Sequence, residues 1–388
     1  MISRRTVLKS VATYSSGLML AHSLGCGGSS GDGSRDKPLI TDRSMPERYE
    51  LAYSFAGDGL LQSAALIGIA LSSVNDVYIT RLSDPALTNQ TNEPRVFRFT
   101  AGGEPGRTTQ SLFLESSQRM TEGIKALCIA PDDTIYASFY VDPGNITTPN
   151  QKNIVVYGSD GTILRQFNLD RESHNRQMLI GLSGAIYRYG TISNNFAPIV
   201  YEFSNSGQFV RNFSPTPVGV IASAPSNTSL VEDVSGNLLV FGDRGSRPSV
   251  AGDIEPTEGI LETFNASSQT IQRVKATPPV FDIGNRVSSG LGNSIAYNVS
   301  NVLGRDSGSN FYVNSIESTG TTSYGVFIRK FSPDGKERAA IRLDSATPES
   351  PERETLHDFA VSGDGTVFAV VRSKDNASVA VRVYRRVA

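Results

Sequence analysis

After residue 47, short segments in which apolar and polar residues alternate follow one another along the chain, and a polar turn precedes each. The segment APDDTIYASFYVD at residues 130–142 has this form, and SGDGTVFAVV at residues 362–371 repeats it. Alternation with a period of two places successive side chains on opposite faces of a β-strand. Asp, Ser and Gly before such a segment are typical of a short hairpin turn. The pattern therefore predicts antiparallel β-structure in this part of the chain.

The alternating pattern divides into six units, each with a strand centred on an aromatic or large apolar residue. These centres are Tyr78, Tyr136, Tyr187, Leu239, Tyr312 and Phe368. One strand precedes each centre and further strands follow it, joined by tight turns such as Ser159-Asp160-Gly161. We interpret the aspartates of these turns as turn formers rather than metal ligands. Six units of four antiparallel strands predict an all-β fold, a six-bladed β-propeller.

The two ends of the chain are predicted to share one blade. The sixth unit ends after one outer strand, SVAVRVYRRV at residues 378–387, and so lacks its fourth strand. The pattern RYELAYSF at residues 48–55 precedes the first unit and supplies the missing strand. We expect Leu51, Tyr53 and Phe55 to be buried together on one face of it. The propeller then comprises residues 47–388, with its N-terminal strand closing the last blade.

Composition narrows the functions that this fold can serve. The 388 residues carry a net charge of −2 and include no tryptophan, two cysteines and three histidines. A broad nucleic-acid surface needs a basic excess, so we expect no nucleic-acid partner. Two distant cysteines exclude a disulfide framework, and Cys128 in the apolar run IKALCIA is predicted to be a buried thiol. Three histidines, one of them within residues 1–25, exclude a multi-histidine metal site.

Residues 1–25 resemble a bacterial twin-arginine export signal, because Arg4 and Arg5 follow a serine and precede an apolar pair and a lysine. A short, mildly apolar stretch follows, as in a cleaved signal. The sequence HSLGCGG resembles a lipobox with Cys26 as the lipidated residue, although a serine replaces its usual leucine. Residues 26–46 are rich in Gly and Ser and are expected to form a flexible tether. The resemblance implies export to the periplasm or cell surface with a lipid anchor; release as a soluble protein is the alternative.

The first unit of the propeller resembles an NHL repeat. Its sequence, YSFAGDGLLQSAALIGIALSSVNDVYITRL followed by RVFRF, joins a glycine-rich turn, an apolar strand with GIA, a polar turn and an aromatic-centred strand. The second unit matches the family moderately, and the other four diverge from it. The resemblance implies the propeller fold. It leaves the function open, because propellers of this kind host both binding and catalysis.

The connections between strands are expected to differ in length on the two faces of the ring. Turns between strands one and two, and between strands three and four, lie on one face, named here the tight-turn face. Connections between strands two and three, and between blades, lie on the other, named the long-loop face. The long connections fall on this second face, at residues 83–94, 142–152, 170–175, 215–228, 243–258, 277–294 and 344–354. Loops gathered on a rigid scaffold often bind, so we expect an envelope protein, small molecule or glycan there.

The innermost strands begin on the long-loop face, so their first residues are expected around the mouth of the central channel. These candidates are Lys125, His174, Arg176, Gln177, Glu232, Asn298, His357 and Asp358. The favoured function is a monomeric binding or interaction module that needs no cofactor and touches the membrane through its lipid anchor only. The alternative is a calcium-dependent hydrolase similar to lactonases or gluconolactonases, with Glu232, Asn298 and Asp358 as metal ligands. The tryptophan motifs of quinoprotein dehydrogenases and the Asp-boxes of sialidases are missing from the sequence.

Overall fold

The alternating segments form strands at the predicted places. The computed structural model describes residues 45–55, 66–81, 95–99, 109–113, 124–139, 154–169, 178–191, 198–215, 229–244, 257–280, 303–318, 324–343, 355–372 and 379–387. The strands within these ranges are β1 (Tyr49–Phe55), β2 (Leu66–Leu71), β3 (Val77–Arg81), β4 (Arg95–Phe99), β5 (Thr109–Phe113), β6 (Ile124–Ile129), β7 (Ile135–Phe139), β8 (Ile154–Tyr157), β9 (Ile163–Phe167), β10 (Met178–Ile180), β11 (Ile186–Thr191), β12 (Pro198–Phe203), β13 (Phe209–Phe213), β14 (Ser229–Glu232), β15 (Leu238–Arg244), β16 (Thr257–Phe264), β17 (Thr270–Val280), β18 (Leu303–Arg305), β19 (Phe311–Ser318), β20 (Tyr324–Phe331), β21 (Glu337–Arg342), β22 (Thr355–Val361), β23 (Val367–Arg372) and β24 (Val379–Arg386). Within the same ranges there is no helix, and hence none of the length and apolarity needed to cross a membrane.

The strands form six four-stranded antiparallel sheets, which are the blades of a β-propeller. Blades 1 to 5 each consist of four consecutive strands and begin at β2, β6, β10, β14 and β18. Blade 6 has the order β22-β23-β24-β1, so its outermost strand comes from the other end of the chain. The predicted all-β, six-bladed fold is confirmed.

One kind of turn recurs on the tight-turn face, although the connection between β4 and β5, residues 100–108, is longer than expected for this face. In ten turns the first residue donates its N–H to the carbonyl of the fifth, and the fourth residue donates to the carbonyl of the first. The fourth residue always has a positive φ, which glycine adopts most easily; it is Gly in six turns and Asn75, Asp133, Ser268 or Ser309 in the others. Asp160 stabilises its turn by accepting hydrogen bonds from the N–H and the hydroxyl of Thr162, at 3.0 and 2.7 Å. The interpretation of the aspartates as turn formers is confirmed.

The hydrophobic core lies between the blades. Six clusters of buried residues occur in the described part of the chain, and each joins two neighbouring blades around the ring. Tyr78 and Tyr157 share the cluster between blades 1 and 2, and Phe97 and Phe368 share the one between blades 1 and 6. All six predicted strand centres are buried, with at most 7% of their surface exposed. Each blade is therefore stabilised by two neighbours, which requires the ring to be closed.

The N-terminal strand closes the ring as predicted, but with a different set of side chains buried. β1 pairs antiparallel with β24, and a bulge between Leu51 and Tyr53 shifts the register by one residue. Such a shift moves the following side chains to the other face of the strand. Tyr53 and Phe55 consequently pack against the cluster between blades 6 and 1, whereas Leu51 is 50% exposed. The expectation that Leu51 is buried on the same face as Tyr53 and Phe55 is therefore wrong.

Candidate functional site at the innermost strands

The innermost strands of the six blades surround the centre of the ring. They are β2, β6, β10, β14, β18 and β22, and each contacts the innermost strands of both neighbouring blades. Residues near the beginning of these strands lie towards the long-loop face, and residues near the end lie beside a tight turn. The position of a residue along its innermost strand therefore shows which face of the ring it lies near.

Three adjacent blades share a bulge in the innermost strand. In blades 6, 1 and 2 the pairing of the first two strands skips one residue, which is His357, Ile67 or Lys125 respectively. Each skipped residue lies five positions before the first residue of the following tight turn, so the three positions are equivalent. Bulges are frequent beside binding sites, because they remove a residue from the ladder and redirect the chain. The structure thus brings two predicted site residues, Lys125 and His357, to equivalent positions on either side of blade 1.

Asp358, the residue after the bulge of blade 6, connects the last blade to the first. Its carboxylate accepts hydrogen bonds from the N–H of Ile69 at 3.0 Å and from that of Phe359 at 2.8 Å. A Cβ atom on Gly68 would lie only 2.9 Å from the carboxylate, so glycine permits this close approach. Burial raises the pKa of the Asp358 carboxyl to about 7, and the two N–H donors offset only part of that effect. This carboxyl can therefore exchange a proton near neutral pH.

Glu232 lies at the opposite end of its strand from the predicted position. It is the last residue of β14 and immediately precedes the tight turn that begins at Asp233, so it serves the tight-turn face. Its carboxylate accepts hydrogen bonds from the N–H of Leu182 and from the hydroxyl of Tyr187, both in blade 3. The placement of Glu232 at the channel mouth is therefore wrong. The sequence placed Glu232 at the start of β14, whereas this four-residue strand begins at Ser229.

The structure describes the other predicted residues only in part. His174, Arg176, Gln177, Asn298, Cys26, Arg4 and Arg5 lie outside the described residues, and only the backbone of Lys125 and His357 is described. In the part of the chain that the structure describes, no three His, Cys, Asp or Glu side chains lie close enough to hold a metal ion. Cys128 packs against the cluster between blades 2 and 3, and desolvation raises the pKa of its thiol to about 11. The side chain is partly buried, so the prediction of a buried thiol is confirmed only in part.

A buried polar cluster beside β1 was not predicted from the sequence. Lys330, only 4% exposed, donates from Nζ to Glu47 at 2.8 Å. The Tyr312 hydroxyl donates to Asp306 at 3.0 Å and lies 3.0 Å from the hydroxyl of Tyr49. Burial, with further contributions from Tyr49 and Asp306, raises the pKa of Tyr312 far above its usual range. Tyr312 therefore stays protonated, and the cluster holds the start of β1 in place. In the sequence, only the basic residues Arg329 and Lys330 within the otherwise apolar strand YGVFIRKF indicate such a cluster.

Comparison with known proteins extends only to the fold. No protein-family model and no curated protein sequence matches the chain. A solved structure of a protein of unknown function from Dyadobacter fermentans DSM 18053 is 12% identical with a TM-score of 0.52, covering 87% of this chain and 99% of that one. A glucose dehydrogenase-type oxidoreductase from Thermus thermophilus is also 12% identical, with a TM-score of 0.41 over 87% of this chain and 99% of that one. At such identities the similarity shows the fold alone, and the NHL resemblance stays a prediction.

Proposed function

We propose that the protein is an exported, lipid-anchored binding module of the bacterial cell envelope, whose NHL-like propeller binds an anionic ligand at the long-loop face. The observation that carries the proposal is the bulge that blades 6, 1 and 2 share at equivalent positions of their innermost strands. Two of these positions hold His357 and Lys125. In the sequence of blade 3, Arg176 has the same spacing from its turn.

Chemistry at these positions favours a negatively charged ligand. Three of four consecutive blades have a basic residue or histidine at one equivalent position, while the protein as a whole carries a net charge of −2. A local group of cations at the mouth of a channel attracts carboxylates and other anions. Acidic glycans, which are rich in carboxylates, combine this charge with the size needed to span several blades. Arg4, Arg5 and Cys26 support export and anchoring, which would place the module where such glycans occur.

The test measures binding of acidic and neutral oligosaccharides by calorimetry. The double variant Lys125→Gln, His357→Gln is expected to bind an oligouronate at least about a hundred-fold more weakly than the wild type, because each of the two hydrogen bonds to a charged group contributes roughly 1.5–3 kcal/mol. Lys336→Gln is the matched control, since this lysine is 81% exposed and lies in a tight turn on the opposite face. Equal affinity of the double variant and the wild type would contradict the proposal, as would binding of neutral oligosaccharides only.

A calcium-dependent hydrolase is the second candidate function. The Asp358 carboxyl favours it, because a group that exchanges a proton near pH 7 suits general acid–base catalysis. The described residues do not bring Asp358 together with other metal-binding side chains, and Glu232 is bound to blade 3. Calcium removal distinguishes the two functions, because a bound ion stabilises the folded state. A chelator that lowers the melting temperature by several degrees would favour the hydrolase; an unchanged melting temperature fits the binding module.

A further inference from the structure

The tight-turn face of blades 1 to 4 exposes apolar side chains. Val74, Leu182 and Val234 lie in the turns that follow the innermost strands of blades 1, 3 and 4. Three more lie at the start of the outermost strands of blades 2, 3 and 4, namely Leu164, Val210 and Ile271. Each of these six side chains is between 52% and 68% exposed. Single exposed apolar residues are ordinary, and what distinguishes these six is that they share one face of the ring.

The outer three of these residues are displaced by a repeated bulge. At the start of the outermost strand in blades 2 to 5, the pairing with the third strand skips one residue. The skipped residue is Leu164 in β9, Val210 in β13, Ile271 in β17 and Arg338 in β21. A skipped residue takes no part in the ladder, so the fold places no demand for an apolar side chain there. In blade 5 the same position holds an arginine, which shows that a charged residue fits it.

Basic residues gather on the same face where β1 begins. Arg48, Lys336, Arg385 and Arg386 are exposed there, and Arg338 is partly exposed. The acidic groups facing them are Glu47, which accepts from Arg338 at 3.3 Å, Asp334, which lies 3.1 Å from Lys336, Glu50 and Asp364. The buried Lys330 neutralises much of the Glu47 charge, because its Nζ lies 2.8 Å from the Glu47 carboxylate. The group has five basic side chains against four carboxylates and so carries a small net positive charge, and such a group attracts anionic lipid headgroups.

The chain joins the propeller from this face. Tyr49, the first residue of β1, pairs with Arg386 at the end of β24, and the N–H of Glu47 donates to the carbonyl of Arg338 beside a tight turn. Met45, the first residue that the structure describes, therefore lies on the tight-turn side of β1. The lipid anchor proposed at Cys26 is a premise of this step, since acyl chains there would bring this face to the bilayer.

We propose that the tight-turn face lies on the surface of an anionic phospholipid bilayer. The apolar turn residues of blades 1 to 4 enter the interface, and the basic group near β1 contacts the headgroups. This adds a protein surface to the lipid contact expected from the sequence, because surface residues and acyl chains contribute additively to membrane affinity. The long-loop face, with its proposed ligand site, then points away from the membrane.

The test uses the full chain with Cys26→Ala, in which the partly buried Cys128, whose thiol pKa is raised to about 11, is the remaining cysteine and is common to both dye variants. A polarity-sensitive dye is attached through Val234→Cys or, as a matched control, through Leu51→Cys. Leu51 is also apolar and 50% exposed but lies on β1 at the outer edge of blade 6. With phosphatidylglycerol-containing vesicles, the dye at position 234 is expected to brighten and shift to the blue, while the dye at position 51 responds less, because it lies beside the basic group and not among the apolar turn residues. Residues 1–25 are common to both variants, so only the difference between positions counts.

Charge removal supplies the second measurement. Arg48→Gln and Lys336→Gln are each expected to weaken partition onto anionic vesicles about five-fold, since one basic residue near such a surface contributes about 1 kcal/mol. No dye response at position 234, an equal response at position 51, or equal partition onto phosphatidylcholine vesicles would overturn the proposal. The anchor is tested separately by mass spectrometry of the wild-type protein from cells, which detects acylation of Cys26. Because the dye experiment uses an unacylated chain, failure of the anchor and failure of the surface are distinguishable.

Discussion

At the scale of single residues, Asp358 is the group whose charge state the fold perturbs in a way that can be measured. The folded protein raises its pKa from the ordinary 3.8 to about 7, chiefly by burial. A carboxyl with a raised folded pKa stabilises the protein least when it is ionised. Its contribution is therefore most favourable below about pH 4, is lost progressively as the pH rises towards 7, and is constant above that.

Replacing Asp358 by asparagine should remove this pH dependence. Between pH 5 and pH 8, the free energy of unfolding of Asp358→Asn should improve relative to the wild type by roughly 2.5 kcal/mol, because about two pH units of the shift fall in this window and each is worth about 1.4 kcal/mol. Urea unfolding at the two pH values measures the difference. Asp160→Asn is the control, since hydrogen bonds from Thr162 lower the pKa of that exposed carboxyl and its ionisation is complete at both pH values. A difference between Asp358→Asn and the wild type that does not change with pH would refute the assignment.

At the scale of elements, the tight turns allow backbone strain to be separated from steric overlap. Gly207 and Gly236 both occupy the fourth turn position, with φ of 91° and 76°. A Cβ atom on Gly236 would meet nothing within 4 Å, whereas one on Gly207 would lie 2.5 Å from the carbonyl oxygen of Asn168 in the neighbouring blade. Gly236→Ala should cost about 1–2 kcal/mol from the left-handed conformation alone. Gly207→Ala should cost clearly more, which thermal unfolding of both variants would reveal; equal losses would mean that blade 2 moves to make room.

The same elements show what the sequence could predict and what it could not. Turn chemistry and period-two alternation are local, so the strands, the turn aspartates and the ring closure could be predicted. Bulges are not local, because they depend on how the partner strand pairs; the sequence therefore missed the one between Leu51 and Tyr53. Glu232 was expected at the start of its strand but lies at the end, because the alternating pattern does not locate the start of a strand of only four residues. Contacts between distant segments, such as Lys330 with Glu47, leave no pattern in either segment.

At the scale of the whole molecule, stability depends on closing the ring. Each blade packs against two others through the six clusters, so the junction of blade 6 with blades 5 and 1 supports every other junction indirectly. β1 contributes to both of those junctions, with Tyr49 packed on one side and Tyr53 and Phe55 on the other. Tyr49 of β1 also contributes its hydroxyl to the polar cluster, and Glu47, two residues before β1, contributes its carboxylate.

A chain that begins at Asp58, and so lacks β1, should be much less stable than one that begins at Asp36. It loses the packing of Tyr53 and Phe55, for which full burial of a large apolar side chain is worth about 1.5–3 kcal/mol. It also leaves Lys330 buried without Glu47, and removing one partner of a buried ion pair typically costs about 3–5 kcal/mol. The unpaired edge of β24 would in addition favour aggregation. Melting curves of the two purified chains measure the effect, and Glu47→Ala in the full chain isolates the ion pair if the shorter chain is insoluble. Equal melting temperatures for all three would mean that the ring closes without β1.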